Sequence, residues 1–242
     1  PIKSPNLWLL KVRLFNKAVA LLYQQGYYST ALHYVQVSAA CNTSFFQDTN
    51  ANKDNAKLVK QMQVAQARCL NYWANVLLVL GDEDAAMQQC MASLKIAKTL
   101  RKPVEEATAF LTLGKIHCQL KQYDKAFTYF DYNLSLWRKL RNKDQMSYPI
   151  LAIGNTLLQQ KQLDPALPQL VSSLRLAQQS RNHFIQAEAL FSMATMYHQQ
   201  KEFGVALKHY RRSLSLSELY GYLALCNKNY LAMAAWHISQ NK

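Results

Sequence analysis

Four short stretches, Gly81-Asp-Glu-Asp-Ala-Ala86, Lys121-Gln-Tyr-Asp-Lys-Ala126, Lys161-Gln-Leu-Asp-Pro-Ala166 and Lys201-Glu-Phe-Gly-Val-Ala206, close on alanines spaced forty residues apart. The surroundings keep the same step. Twelve residues before each alanine stands a small residue: Ala74, Gly114, Gly154 and Ala194. Four residues after each comes Cys90, Phe130, Leu170 or Tyr210, all able to fill a core. An apolar pair follows: Leu94/Ile96, Leu134/Leu136, Leu174/Leu176 and Leu214/Leu216. A fifth copy, Gly26-Tyr-Tyr-Ser-Thr-Ala31, lies 55 residues before Ala86 rather than forty, which implies an inserted segment. That segment, 42–61, is polar and turn-rich and reads as a loop, with Phe45 and Phe46 near its start capping the preceding core.

Each period reads as two helices. Ala107, Phe110, Leu113, Gly114 and His117 follow a 3.6-residue stripe, Lys121-Gln-Tyr-Asp turns the chain, and Ala126, Tyr129, Phe130 and Leu134 carry a second stripe. Small residues are required where paired helices approach closely. Basic residues gather where second helices end (Lys98, Arg101 and Lys102; Arg138, Lys139 and Arg141; Arg181), facing the negative end of the helix dipole. The resulting expectation is repeats at about 12–41, 67–100, 107–140, 147–180 and 187–220, with a final helix over 224–239, all in one domain. Such self-similarity at a fixed period is the signature of a solenoid.

The pattern resembles the tetratricopeptide repeat. Phe110, Leu113-Gly114, Tyr123, Ala126 and Phe130 carry the likeness, as do Ile153-Gly154 with Ala166, and Tyr197, Phe203, Ala206 and Tyr210. The forty-residue spacing is similar to the subtype found in LGN/Pins-type polarity adaptors. Ser38, Ser93, Asn133, Ser173 and Ser213 stand where the family usually has alanine. The resemblance implies an all-α fold, a right-handed α-solenoid whose first helices line a concave groove. It also implies a peptide-binding face made of Arg13, Asn16, Lys17, Arg68, Asn71, Asn75, Lys115, Gln119, Asn155, Gln159 and His198. Amide side chains recurring on that face are expected to clamp a peptide backbone by donating and accepting at once.

Composition narrows the function further. Half the residues are hydrophobic and 17% are charged, enough apolar matter for a large core and too much for disorder. Only six glycines and six prolines argue against a turn-dense β fold. Lys and Arg number 28 against 14 acidic residues, a net +14 spread along the chain, which favours an acidic partner. Five cysteines without a C-x-x-C pair support neither a disulfide framework nor a thiolate metal site, so a reducing, cytoplasmic location is expected. His117 and His237 read as packed core residues; the Asp82-Glu83-Asp84 triplet reads as a helix start. No motif for a nucleophile, a phosphate loop or a metal occurs, and no catalytic residue, cofactor or metal is expected. The expectation is a non-catalytic scaffold that receives an acidic peptide segment of a partner protein, the chain being part of a larger chain or complex. Two alternatives are a regulatory module of a larger enzyme such as a protease, and direct binding of nucleic acid or another polyanion.

Overall fold

The computed structural model describes residues 5–48 and 55–240, and among these there are eleven α-helices and no strand. They are α1 (Pro5–Gln25), α2 (Tyr28–Gln47), α3 (Ala56–Leu80), α4 (Glu83–Thr99), α5 (Pro103–Gln119) and α6 (Tyr123–Lys139), then a short 3-10 turn (Asp144–Met146) before α7 (Ser147–Gln159). α8 (Leu163–Gln179), α9 (His183–Gln199), α10 (Phe203–Tyr220) and α11 (Leu223–Gln240) complete the chain. The fold is an α-solenoid of helical hairpins.

The inserted segment is shorter than its polar composition suggests. Helix α2 continues through 42–47 and α3 begins at Ala56, so the loop expected over 42–61 is helix at both ends. Burial explains the difference. Phe45 is fully buried among Leu9, Val12, Leu58 and Met62, with Phe46 packed beside it. Asn42 turns its amide back to the Ser38 carbonyl (3.0 Å), and Asn55 caps α3 by accepting from the Leu58 N–H.

The helices end in a shared way. Gly81, Arg101, Lys121, Arg141, Lys161, Arg181, Lys201 and Gly221 stand every twenty residues, and all eight have positive φ, between 51° and 85°. Each closes the preceding helix with a pair of backbone bonds. Lys121 N–H donates to Cys118 O (3.0 Å) and Gln122 N–H to His117 O (2.8 Å), and the same pair recurs at every site. This is the Schellman arrangement, which satisfies carbonyls that a helix end would otherwise orphan. Of the basic residues read as helix-end cations, Arg101, Arg141 and Arg181 are left-handed residues at the ends of second helices, and Lys121, Lys161 and Lys201 take the same conformation at the ends of first helices.

A second device ties first helix to second. Ser93 Oγ donates to Ala67 O (2.7 Å), Asn133 Nδ2 to Ala107 O (2.5 Å), Ser173 Oγ to Ser147 O (2.8 Å) and Ser213 Oγ to Ala187 O (2.8 Å). Every bond spans 26 residues and steps by forty. The polar residues standing at the family's alanine position thus reach across the helix pair to a backbone carbonyl. In the first hairpin the link is indirect: Ser38 donates to Asn16 Oδ1 (2.9 Å), and Asn16 Nδ2 donates to Ala65 O (3.0 Å).

The chain divides into two compact units. One holds the described residues up to Tyr23 together with Tyr27–Leu136; the other holds Gln24–Gly26 and the described residues from Trp137 onward. In the first, α3 packs against α2, α4 and α5; its cores include Ala74, Leu78, Ala86, Cys90, Leu113 and Ile116. In the second, α9 packs against α7, α8, α10 and α11, around Leu151, Leu170, Ile185, Met193 and Met196. A first helix touching the next first helix as well as its own partner is the packing of a stacked repeat, in which each unit contacts only its neighbours.

Candidate functional site: a basic cleft between first helices

In the first unit a cleft of about 600 Å³ opens between α1 and α3. That volume falls within the range usual for ligand sites. Helical spacing builds both walls. On α1, Leu10 and Leu14 form one i, i+4 row and Arg13 and Lys17 a neighbouring one; on α3, Lys57, Lys60, Gln61, Val64, Ala65, Arg68 and Tyr72 face the same space. Lys102, in the turn before α5, completes the lining. Six cations therefore surround a floor that is largely apolar. Leu10 and Leu14 are 52% and 55% exposed.

One carboxylate among the described residues is paired with a cation of the cleft. Glu105 is buried, and Arg68 grips its Oε1 from both Nε (2.8 Å) and Nη2 (2.6 Å). The Glu105 side chain is 5% exposed against 53% for Arg68, so the pair holds a buried charge while the outer part of the guanidinium still faces the cleft. The pair also fastens α3 to α5.

The residues singled out in the sequence divide sharply. Arg13 and Lys17 line the cleft as exposed side chains, and Arg68 lines it while part of its guanidinium is held by Glu105. Asn16 lines it too, but it is buried and its amide is committed to Ser38 and Ala65. Asn71 is buried and accepts only a long contact (3.9 Å) from the Cys90 thiol. Asn75 spends its amide hydrogens on Asn71 O (2.8 Å) and Thr112 Oγ1 (2.9 Å). Gln119 does likewise, donating to Leu78 O (3.3 Å) and Glu83 Oε1 (2.7 Å). Lys115 is half-buried on α5, away from the cleft lining. In the second unit Asn155 is half-buried and Gln159 exposed on α7. His198 sits edge-on to Phe203 (5.3 Å) beside Ala206, Leu207, Tyr210, Met233 and Trp236. The expected amide row is thus mainly a set of ties between helices.

Leu10, Leu14, Lys57, Lys60 and Lys102 are the lining residues that the sequence reading missed. Lys57 and Lys60 were hidden inside the segment read as a loop; the i, i+3, i+4 run 57, 60, 61, 64, 68 is the signal that reveals them as one helix face.

The remaining candidates for chemistry are packed groups. His117 is buried, its Nδ1 bonded to Gln122 Oε1 (2.9 Å) and its ring stacked on Tyr129. His237, by contrast, is exposed beside Trp236, because α11 carries no further helix over that face among the described residues. Asp82 caps α4 by accepting from Ala85 N–H (3.0 Å). Burial pushes the Cys69 thiol up to about 11 and the Cys90 thiol up to about 12, opposed weakly by hydrogen bonds. Burial also lowers the pKa of His209, with the Arg212 charge adding to the effect. Among the described residues no group of His, Cys, Asp and Glu is placed to hold a metal ion, and no helix is long and apolar enough to cross a membrane.

Two-helix repeats stacked through their first helices, with a charged cleft between two of them, define a helical-repeat scaffold. Residues 105–179 and 147–218 match the model of the tetratricopeptide repeat. The match to the tetratricopeptide repeat model thus runs over residues 105–218, and repeats of this kind support a protein-interaction scaffold. No curated protein matches the sequence. Among solved structures the chain is similar to the apo form of RapI, with a TM-score of 0.58 at 16% identity over 97% of this chain and 86% of that one. It is also similar to BtubC (BKLC) from P. vanneervenii, with a TM-score of 0.55 at 13% identity over 92% of each chain. At these identities the likeness is one of fold.

Proposed function

We propose that this protein is a non-catalytic scaffold whose first unit receives an anionic segment of a partner protein in the α1–α3 cleft. The observation that carries this reading is the convergence of Arg13, Lys17, Lys57, Lys60, Arg68 and Lys102 on one cleft, with Arg68 paired to the buried Glu105. A cleft lined by one sign of charge focuses its field and raises the local concentration of oppositely charged ligands. The apolar floor adds what a purely electrostatic site lacks, a surface whose burial stabilises the complex by roughly 25 cal/mol per Å².

The test uses a fluorescent glutamate-rich peptide, its glutamine counterpart and a single-stranded oligonucleotide, each titrated against the full chain and against Lys57→Glu/Lys60→Glu. Both lysines are exposed, so charge reversal leaves the packing intact. The glutamate peptide is expected to bind at least tenfold more tightly than the glutamine peptide, to weaken with added salt, and to lose that preference in the variant. Equal binding of both peptides, or a variant that binds as well as the parent, removes the cleft from consideration. Tighter binding of the oligonucleotide, falling steeply with salt, replaces the peptide reading with a polyanion one.

A further inference from the structure

We infer that the segment taken by the α1–α3 cleft is a helix, amphipathic, with acidic residues bordering an apolar stripe; this rests on the reading of the cleft as an anionic-segment site. The reason lies in what the cleft offers a peptide backbone. An extended segment brings one unpaired N–H and one unpaired C=O per residue, and each left buried without a partner costs roughly 1–3 kcal/mol. Side-chain amides, which donate and accept at once, could meet those groups, and the sequence places several on these helices. The structure has already spent them. Of the two amides lining the cleft, Asn16 is bonded to Ser38 and Ala65, and only Gln61 stays available. Next along the stack, Asn75 and Gln119 are bound within the protein as well. The walls are α-helices with their own backbone groups paired internally, so they add no strand-like edge.

A helical guest brings its own hydrogen bonds and asks only for side-chain contacts. The cleft provides those in matching order. Leu10 and Leu14 line it beside Arg13 and Lys17 on α1, and Val64 lines it beside Lys57, Lys60 and Arg68 on α3. Both walls repeat at i, i+3 and i+4, the spacing at which a helix presents one face. The size agrees. A helix about 10 Å across with a rise of about 1.5 Å encloses roughly 120 Å³ per residue, so 600 Å³ holds about three turns half-sunk into the cleft.

The experiment titrates the full chain with two sixteen-residue peptides of leucine, alanine and glutamate. In one, leucines fall at i, i+3, i+4 and i+7 with glutamates beside them; in the other, two central alanines are replaced by proline, which leaves the charge unchanged and abolishes the helix. The helix-capable peptide is expected to bind at least tenfold more tightly and to gain far-UV helical signal on binding. Leu10→Asp/Leu14→Asp, at two exposed positions, is expected to erase the difference between the peptides. Equal affinity of the two peptides, still lost in Lys57→Glu/Lys60→Glu, overturns the helical guest and leaves the anionic-segment site standing. Failure of both peptides to bind, or binding that ignores the lysine reversals, overturns both readings.

Discussion

Gly114 and Phe130 occupy the places that Ala74 and Cys90 occupy in the preceding hairpin, and Gly154 and Leu170 those places in the next. A methyl group on Gly114 would strike the Phe130 ring, and one on Gly154 would come within 2.7 Å of Leu170 Cδ2. Opposite Phe130 and Leu170 the first helix gives up its Cβ, whereas opposite Tyr210 it keeps that of Ala194. Gly114→Ala gains roughly 1 kcal/mol of helix propensity but overpacks a fully buried ring, which costs about 1–3 kcal/mol. A net loss on urea unfolding is expected, recovered in part by Phe130→Leu. The polar ties behave more mildly. Ala67 O keeps a helical partner without Ser93, so Ser93→Ala is expected to cost no more than about 1.5 kcal/mol, the worth of one net hydrogen bond. The cysteines give a pH signature. Folded Cys69 and Cys90 hold their protons above the ordinary thiol range, so unfolded chains ionise first as pH rises past 9. Their contribution to stability is complete below pH 9 and declines through pH 11–12. An aromatic disulfide reagent at pH 8 is expected to modify half-buried Cys41 well before either of them.

At the level of the helix, the turns explain a departure that the sequence showed but did not account for. Lysine or arginine stands at six of the eight left-handed positions where glycine is the usual occupant. The left-handed region costs a residue with a Cβ roughly 1–2 kcal/mol. Against this, a cation at a helix C-terminus contributes about 0.3–1 kcal/mol, and a non-glycine residue restricts the unfolded chain by about 0.4–1 kcal/mol. The two sides nearly balance. Lys161→Gly is therefore expected to shift stability by less than about 1 kcal/mol, whereas Gly81→Ala, at φ 85° and without a charge to compensate, is expected to lose about 1–2 kcal/mol. Thermal unfolding of the two variants in parallel checks the contrast. Helix existence was plain in the sequence because the stripes at Ala107–His117 and Ala126–Leu134 repeat. Helix extent near the insertion was not, because Phe45, Leu58 and Met62 find their partners in Leu9 and Val12 of α1, far away in the sequence.

For the molecule as a whole, the repeat register carries the fold, and the site follows it only in part. Arg13, Lys17 and Arg68 were legible because exposed cations on first helices need no knowledge of their neighbours. The bonds of the amides were not legible for the opposite reason: that Asn16 and Asn75 brace neighbouring helices depends on contacts 22 to 49 residues distant. Lys102 entered the cleft through the turn before α5, a placement that no stripe on one helix encodes. The net +14 also takes a different meaning, since six of the 28 basic residues serve as helix stops. Reversing one of these, as in Lys121→Glu, is expected to lower the melting temperature while leaving peptide affinity at the cleft unchanged.

The stops fall every twenty residues, yet the serine and asparagine ties recur only every forty. The two periods act as a ruler with a fine and a coarse graduation. An excision of twenty residues would preserve the fine marks while butting two like helices together, stripping donors from their carbonyls; an excision of forty would keep both scales aligned. Between Gly81 and Gly221, the smallest change of length that keeps both scales aligned is thereby a whole hairpin.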